Sequence, residues 1–379
     1  MFISYGKQSI NKSDLKAVKN VLKNELLTQG PLVQKFENSL KKKLNSKYAT
    51  VVNNGSSALI TIGKILNWKK GDLIAVPPIT FLSSVNTIEH CGAKPIFIDI
   101  SMKDYCMDPN ILEKVLQKDK KKNIKAAIIV DYGGQPAQWE KFLKLKRKYN
   151  IKLINDNCHA LGSSLNKDKG YAVKYADLVS LSFHPVKAIT TGEGGAILTN
   201  NLKYEKKAKI YRTHGMIRKK EHWKYSMKEI GYNFRLPDIN CALGISQIKR
   251  LDVFVKKRQK ISKIYDNFFS NNIKFKIPNK INKNENSFHL YPLLLNLKEI
   301  KKTKDKIMNE FLKNKIKLQV HYIPVNTQLF YKKKYGFNKK KFKNSLEFFK
   351  NSISLPIYSG LSMKELNFIK KACKKIFRI

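Results

Sequence analysis

The chain has 379 residues, 42% of them hydrophobic, and a formal net charge of +47 at pH 7. That hydrophobic share supports a well-buried core and excludes disorder, and the length predicts one large and one smaller domain. No apolar run reaches the ~18 residues of a membrane helix. No signal-peptide-like segment opens the chain, and five scattered cysteines without a C-x-x-C read as reduced thiols. The expectation is a cytoplasmic protein without membrane span or metal site.

The charge admits two readings. A basic stripe would bind nucleic acid, yet only seven of the 75 basic residues are Arg, and lysine runs such as 41–43, 120–122 and 339–341 are dispersed. Dispersed Lys alongside abundant Asn and Ile reads as compositional bias, so no specific nucleic acid is expected, although the surface would attract a small anion. A non-catalytic nucleic-acid-binding protein is the alternative class.

In chain order, Asn11-Lys12-Ser13-Asp14 caps an amphipathic helix through Leu15, Val18, Val21 and Leu22. The turn Leu27-Thr28-Gln29-Gly30-Pro31 precedes a second helix through Phe36 and Leu40. Residues 48–52 read as a strand entering Asn54-Gly55-Ser56-Ser57 and a helix. Small residues there free N–H groups at the positive end of the helix dipole, which makes Gly55, Ser56 and Ser57 candidates for a phosphate grip. Residues 73–78 and 94–100 read as strands, with a helix opening at 79–84 between them; Phe81 in that segment reads as core packing. Asp108-Pro109 starts another helix, residues 126–130 form a strand, residues 139–149 a helix, and residues 151–156 a strand ending at Asp156. Strand and helix alternate about every 25 residues, which predicts an α/β fold with parallel strands, helices on both faces and ligands beyond the strand ends. One long helix over 238–269 bridges to the second domain. After Pro278 come Lys/Asn-rich linkers, a strand over 289–295, a helix over 304–313, a strand over 317–320 and a terminal helix. The domains are placed at 1–250 and 251–379.

Between two apolar runs stands Phe183-His184-Pro185-Val186-Lys187, followed by the turn Gly192-Glu193-Gly194-Gly195. Partial burial there would lower the lysine's pKa and free its lone pair, making Lys187 a candidate Schiff-base nucleophile. Any one lysine in so basic a chain reads first as solvated, and the case for Lys187 rests on Asp156, 31 residues upstream. An acid at a strand end opposite such a lysine is what pyridoxal phosphate needs to hold its ring nitrogen protonated. Alone, Asp156 reads equally as a turn cap, and His159 as a structural histidine.

Asp156-x-x-His159-Ala160 with Ser182-Phe183-His184-x-x-Lys187-x-Ile189-Thr190-x-x-Glu193-Gly194-Gly195 resembles the DegT/DnrJ/EryC1/StrS sugar aminotransferases, over essentially the whole chain. The resemblance implies a fold type I aminotransferase that uses pyridoxal or pyridoxamine 5′-phosphate (PLP or PMP), with a large, mostly parallel seven-stranded-type sheet domain and a smaller C-terminal α/β domain. It implies Lys187 as the covalent anchor and Asp156 on the ring nitrogen. Gly55, Ser56, Ser57 and Ser182 fall on the phosphate, Phe81 against the ring, and His159 on the carboxylate or the cofactor's phenolic oxygen. It further implies a homodimer with shared active sites, in which Asn233 touches the phosphate held by the other subunit. Tyr5, Thr28, Gln29, Glu193, His321 and Tyr322 are the implied contacts to a nucleotide-sugar substrate, with glutamate as amino donor. Tyr5-Gly6-x-Gln8, Thr28-Gln29-Gly30 and Gly133-Gly134-Gln135-Pro136 look nearest to the branch that aminates C4 of a UDP-linked 4-keto-6-deoxy-N-acetyl-hexosamine in pseudaminic acid or surface-glycan synthesis. Perosamine, bacillosamine-type and 4-amino-4-deoxy-arabinose aminotransferases are the alternatives. Lys7, Gly134 and Asn157 depart from the residues common there, and the departures bear on the sugar. Members with His in place of the lysine are dehydratases; Lys187 favours transamination.

Overall fold

The computed structural model describes residues 2–23, 26–221, 223–279 and 284–379. Seven strands form the principal sheet: β1 (Tyr48–Val52), β2 (Leu73–Val76), β3 (Lys94–Phe97), β4 (Ile124–Val130), β5 (Lys152–Asp156), β6 (Leu178–Ser182) and β7 (Gly195–Thr199). Their order is β1-β7-β6-β5-β4-β2-β3. The strands from β3 to β6 pair in parallel, and β7 runs antiparallel between β6 and β1.

Side chains alternate across this sheet, as the pleat requires. Ala126 and Ile128 of β4 enter one core with helices α3 (Gly55–Ile65), α4 (Leu82–His90) and α7 (Leu202–Arg212). Ala127 and Ile129 enter the opposite core with α2 (Pro31–Leu44), α5 (Pro109–Lys118) and α6 (Trp139–Tyr149). Covering both faces is what makes a parallel sheet stable.

A third core belongs to the C-terminal part. The strands Phe275–Lys276, Tyr291–Leu295 and Ser352–Leu355 form an antiparallel sheet, packed by Phe311, Ile369 and Phe377. Ile3 joins this core, and its backbone bonds to Lys315 and Lys317 carry the N-terminal segment onto it. Residues 317–320, read as a strand, contribute only an isolated bridge between Gln319 and Ser354. The Lys/Asn-rich linker lies partly outside the described residues, at 280–283.

The single helix expected over 238–269 is two: α8 (Asp238–Ile248) and α9 (Leu251–Phe269). Local propensity would continue it, but Arg250 leaves helical geometry (φ −101, ψ 3). Its side chain pairs with buried Asp14 and lies 4.8 Å from the Phe254 ring centroid, so tertiary contacts set the break. α1 (Lys12–Val21) has the expected capping box, with Asn11 and Asp14 bonded reciprocally. Its apolar face is not covered as expected: Val21 is buried, whereas Leu15 and Leu22 are 63% and 58% exposed. Among the described residues no helix is long and apolar enough to cross a membrane.

One buried carboxylate ties the strand ends together. Asp131, just past β4, accepts from the Ala137 N–H and the Trp139 indole on Oδ1, each at 2.9 Å. On Oδ2 it accepts from Asn155 and Asn157, each at 3.0 Å, and from the Tyr171 hydroxyl at 2.7 Å. Asn157, expected to bear on the sugar, therefore serves this hub and is buried. Removing the hub strands five buried donors. Asp131→Ala is expected to lower unfolding stability by about 3–5 kcal/mol in denaturant titration.

Candidate active site

A cavity of about 630 Å³ opens beyond the strand ends. Asp156 is the last residue of β5, and β6 pairs beside it with Ser180 opposite Asp156. The chain leaves β6 at Ser182 and turns so that Lys187 and Asp156 line the same cavity. The turn is held by one carbonyl: Phe183 C=O accepts from the Thr191 N–H and the Thr190 hydroxyl, both at 3.0 Å. Gly192, at φ +80, supplies the left-handed residue that closes it.

Asp156 is buried and oriented. Its Oδ2 accepts from Ser84 Oγ at 2.6 Å and its Oδ1 from the Cys158 N–H at 3.2 Å. Ser84 has one proton, spent on Asp156, so the 2.8 Å contact between Thr80 and Ser84 is donated by Thr80. This two-hydroxyl relay fixes the carboxylate in direction.

Burial lowers the pKa of the Lys187 amine; Cys158 and Asp156 pull it back up, and Arg258 pushes it down. Between the folded value and 10.5 the unfolded chain binds more protons than the folded one, so stability rises with pH through that window. Below it the cofactor-free protein holds a desolvated ammonium. Lys187→Met is therefore expected to raise the melting temperature of the cofactor-free protein at pH 7, an advantage that shrinks as pH rises through the window. An unchanged melting temperature would mean a solvated amine.

His159 accepts from the Gly133 N–H on Nδ1 at 3.3 Å, so its proton sits on Nε2, which donates to Tyr322 at 2.9 Å. Of its two expected partners, the Asp156 carboxylate is not bonded to it, because Gly133 and Tyr322 take its two nitrogens; the other was the cofactor's phenolic oxygen. Burial holds His159 neutral. Tyr322 thereby keeps its own proton for a ligand. His321 bonds Ser354 through Nδ1 at 2.9 Å, and burial pushes its pKa down to about 3. Tyr5 packs its ring 5.3 Å from His321, and Phe81 lies 6.0 Å from Tyr322. Phe81 is 56% exposed and lines the cavity, unlike the core position read from the sequence.

At the other end of the cavity lies the N-terminus of α3. Asn54 caps it through the Ser57 N–H at 2.8 Å, and the Gly55 and Ser56 N–H groups meet no protein acceptor among the described residues. A Cβ on Gly55 would come within 3.0 Å of Ser182 Cβ; glycine lets that serine close on the helix end. Ser83 donates to Ser56 at 2.7 Å beside it. Free N–H groups and three hydroxyls at a helix N-terminus suit a phosphate, an oriented carboxylate suits a pyridinium, and an amine with a lowered pKa suits an aldehyde. These residues fit PLP. Among the described residues no cluster of three His, Cys, Asp or Glu could hold a metal ion.

The profile of the DegT/DnrJ/EryC1/StrS aminotransferases matches residues 8–374. The chain belongs to this aminotransferase family. It is 39% identical over 371 residues to the UDP-4-amino-4,6-dideoxy-N-acetyl-beta-L-altrosamine transaminase of Campylobacter jejuni, covering 97% of this chain and 96% of that one. Its counterpart in Helicobacter pylori is 35% identical, with 99% and 97% covered. The structure of Helicobacter pylori PseC, an aminotransferase of pseudaminic acid biosynthesis, superposes with a TM-score of 0.93 at 33% identity over 100% of both chains. Spr1654 of Streptococcus pneumoniae, solved in PLP and PMP forms, is 26% identical with TM-scores of 0.90; each comparison covers at least 98% of both chains. The fold is that of the PLP aminotransferases.

In this aminotransferase the cavity gathers Lys187, Asp156, Gly55, Ser56, Phe81, His159, Ser182, Tyr5, Glu193, His321 and Tyr322. It does not gather Ser57, which is buried away from it with its N–H spent on Asn54. Thr28, Gln29 and Asn233 are exposed and lie outside it. Asp238 takes the Gly30 and Leu32 N–H groups at 2.8 and 3.0 Å, pinning that turn to α8; Gln29 instead lines a separate cleft with Arg212 and Arg235. Sequence reading missed Ser84, Cys158 and His289, which also line the cavity. No short pattern in the sequence marked any of the three.

Proposed function

We propose that this aminotransferase, with PLP bound, transfers the amino group of glutamate to the C4 keto carbon of a UDP-linked 4-keto-6-deoxy-N-acetyl-hexosamine, serving a pseudaminic-acid-type route. The carrying observation is the shared cavity of Lys187 and Asp156 in a chain that matches three relatives named for that C4-amino, 6-deoxy, N-acetyl product at 35–39% identity, end to end. Bound PLP supplies an electron sink for the carbon that loses its proton. Asp156 Oδ holds the proton on the ring nitrogen. Lys187 Nζ, as free base, takes the proton from the donor's α-carbon and in the second half-reaction returns one to C4 of the sugar. The α3 N-terminus with Ser56 and Ser182 would grip the phosphate, and Phe81 and Tyr322 would lie beside the ring. In this reading Tyr5, Glu193 and His321, which line the same cavity, meet the sugar.

We read the working unit as a homodimer and the domains as 1–250 and 251–379. Leu15 and Leu22 on α1 and Trp223, Tyr225 and Met227 on the 216–227 hairpin are exposed. A second copy covering them would deliver Thr28, Gln29 and Asn233 to its partner's cavity. Lys187→Ala and Asn233→Asp chains, each inactive alone, are expected to regain activity when mixed, because one intact site then forms per dimer. No recovery would contradict the shared site.

The deciding experiment offers UDP-, GDP- and dTDP-linked 4-keto-sugars with glutamate and reads the product C4 by NMR. The UDP-linked N-acetyl sugar is expected to be aminated fastest. Preference for a GDP-linked sugar would move the assignment toward the GDP-perosamine synthases, which are 28–29% identical.

A further inference from the structure

Arg258, on α9, is 2% exposed and meets no carboxylate among the described residues. Arg212 and Arg250, by contrast, pair with Glu37 and Asp14. Its guanidinium is spent on neutral carbonyls from three separate segments. Nη1 donates to Ile357 at 2.7 Å, Phe288 at 3.2 Å and His289 at 3.4 Å; Nη2 donates to Val186 at 3.4 Å. Nε is buried without a partner. Val186 immediately precedes Lys187, and His289 forms part of the cavity wall. Arg258 and Lys187 also share a narrow crevice with Gln247 and Phe254.

A buried cation matched only by neutral acceptors is expensive. A neutral residue could bridge carbonyls too; what it could not do is project positive charge onto the lysine. We propose that Arg258 is a positioning residue for Lys187: it fixes the peptide before the lysine and the His289 wall, and its charge disfavours a second cation beside it. This deepens the assigned reaction, since it rests on Lys187 being the proton carrier.

The other groups facing Lys187 do not supply that push. Asp156 and Cys158, from the end of β5, favour the ammonium. His159, His289 and His321 are held neutral by burial. Burial holds the phenols of Tyr5 and Tyr322 protonated. His184 and Glu193 stand at the exposed rim, 4.0 Å apart, and Lys7 lines the rear crevice. Arg258 is the fixed positive charge that acts with burial against Asp156 and Cys158.

The test labels the cofactor-free protein with acetic anhydride across a pH series and follows the Lys187 peptide by mass spectrometry. Arg258→Met and Arg258→Gln remove the charge, the second keeping two donors for the carbonyls; Arg258→Lys keeps the charge. Melting curves identify the variants that fold. The labelling midpoint is expected to rise by on the order of one pH unit in Arg258→Gln and Arg258→Met and to stay near wild type in Arg258→Lys. The acid limb of the transamination rate should move the same way. A folded Arg258→Gln with the wild-type midpoint, or an Arg258→Lys midpoint displaced as far as that of Arg258→Met, would overturn the proposal. The labelling result is independent of turnover, so a failure of the assigned reaction would show separately.

Discussion

Lys187→Ala is expected to abolish transamination, lowering turnover by at least about 10³-fold while the protein stays folded. The variant loses both the nucleophile and the base, and the cavity offers no second amine in its place: His159, His289 and His321 are too weakly basic to take a proton from carbon at neutral pH. Because the amine is desolvated, its removal relieves the cofactor-free protein, so lost activity would come with equal or greater thermal stability. Steady-state turnover with glutamate, read beside a melting curve, checks both halves. Retained turnover would remove Lys187 from the chemistry.

Asp156→Asn is expected to cost about 10²–10³-fold in turnover, with the lysine still able to bind the cofactor covalently. An amide cannot hold the proton on a pyridine nitrogen. It also disrupts its surroundings: Ser84 and the Cys158 N–H both donate to the carboxylate, and an amide's NH₂ would face one of those donors. Ser84→Ala, which removes only the orienting hydroxyl, should cost far less, and the ratio of the two effects separates charge from orientation. Equal losses would mean that orientation alone carries the role of Asp156.

The parts of the site legible in the sequence are those whose chemistry is written in one short stretch. Gly55-Ser56 announces a helix N-terminus, and the segment from Ser182 to Lys187 carries its own turn. The parts assembled from distant segments left no local mark. Ser84 reaches Asp156 from 72 positions away, and His289 enters from the C-terminal sheet's approach. The helix break at Arg250 lies in a stretch of good helix formers, and the tertiary contacts of Arg250 to Asp14 and Phe254 set it. The spacing of Leu15, Val18, Val21 and Leu22 correctly announced an apolar helix face. Periodicity records that such a face is to be buried, not whether its own chain or another buries it, and here much of it is bare. Asn157 was read as bearing on the sugar because it departs from the residue common at that position in the family, yet its side chain points into the Asp131 hub. Neighbours along a strand face opposite sides.

The central claim is that one amine among 68 lysines is buried, its pKa lowered, in the same cavity as an oriented carboxylate. Incubation with PLP, borohydride reduction and peptide mass spectrometry tests it directly. The expected result is a single pyridoxyl group per chain, on Lys187, with none on Lys187→Ala. Labelling spread over surface lysines, or a labelled Lys187→Ala chain, would contradict it.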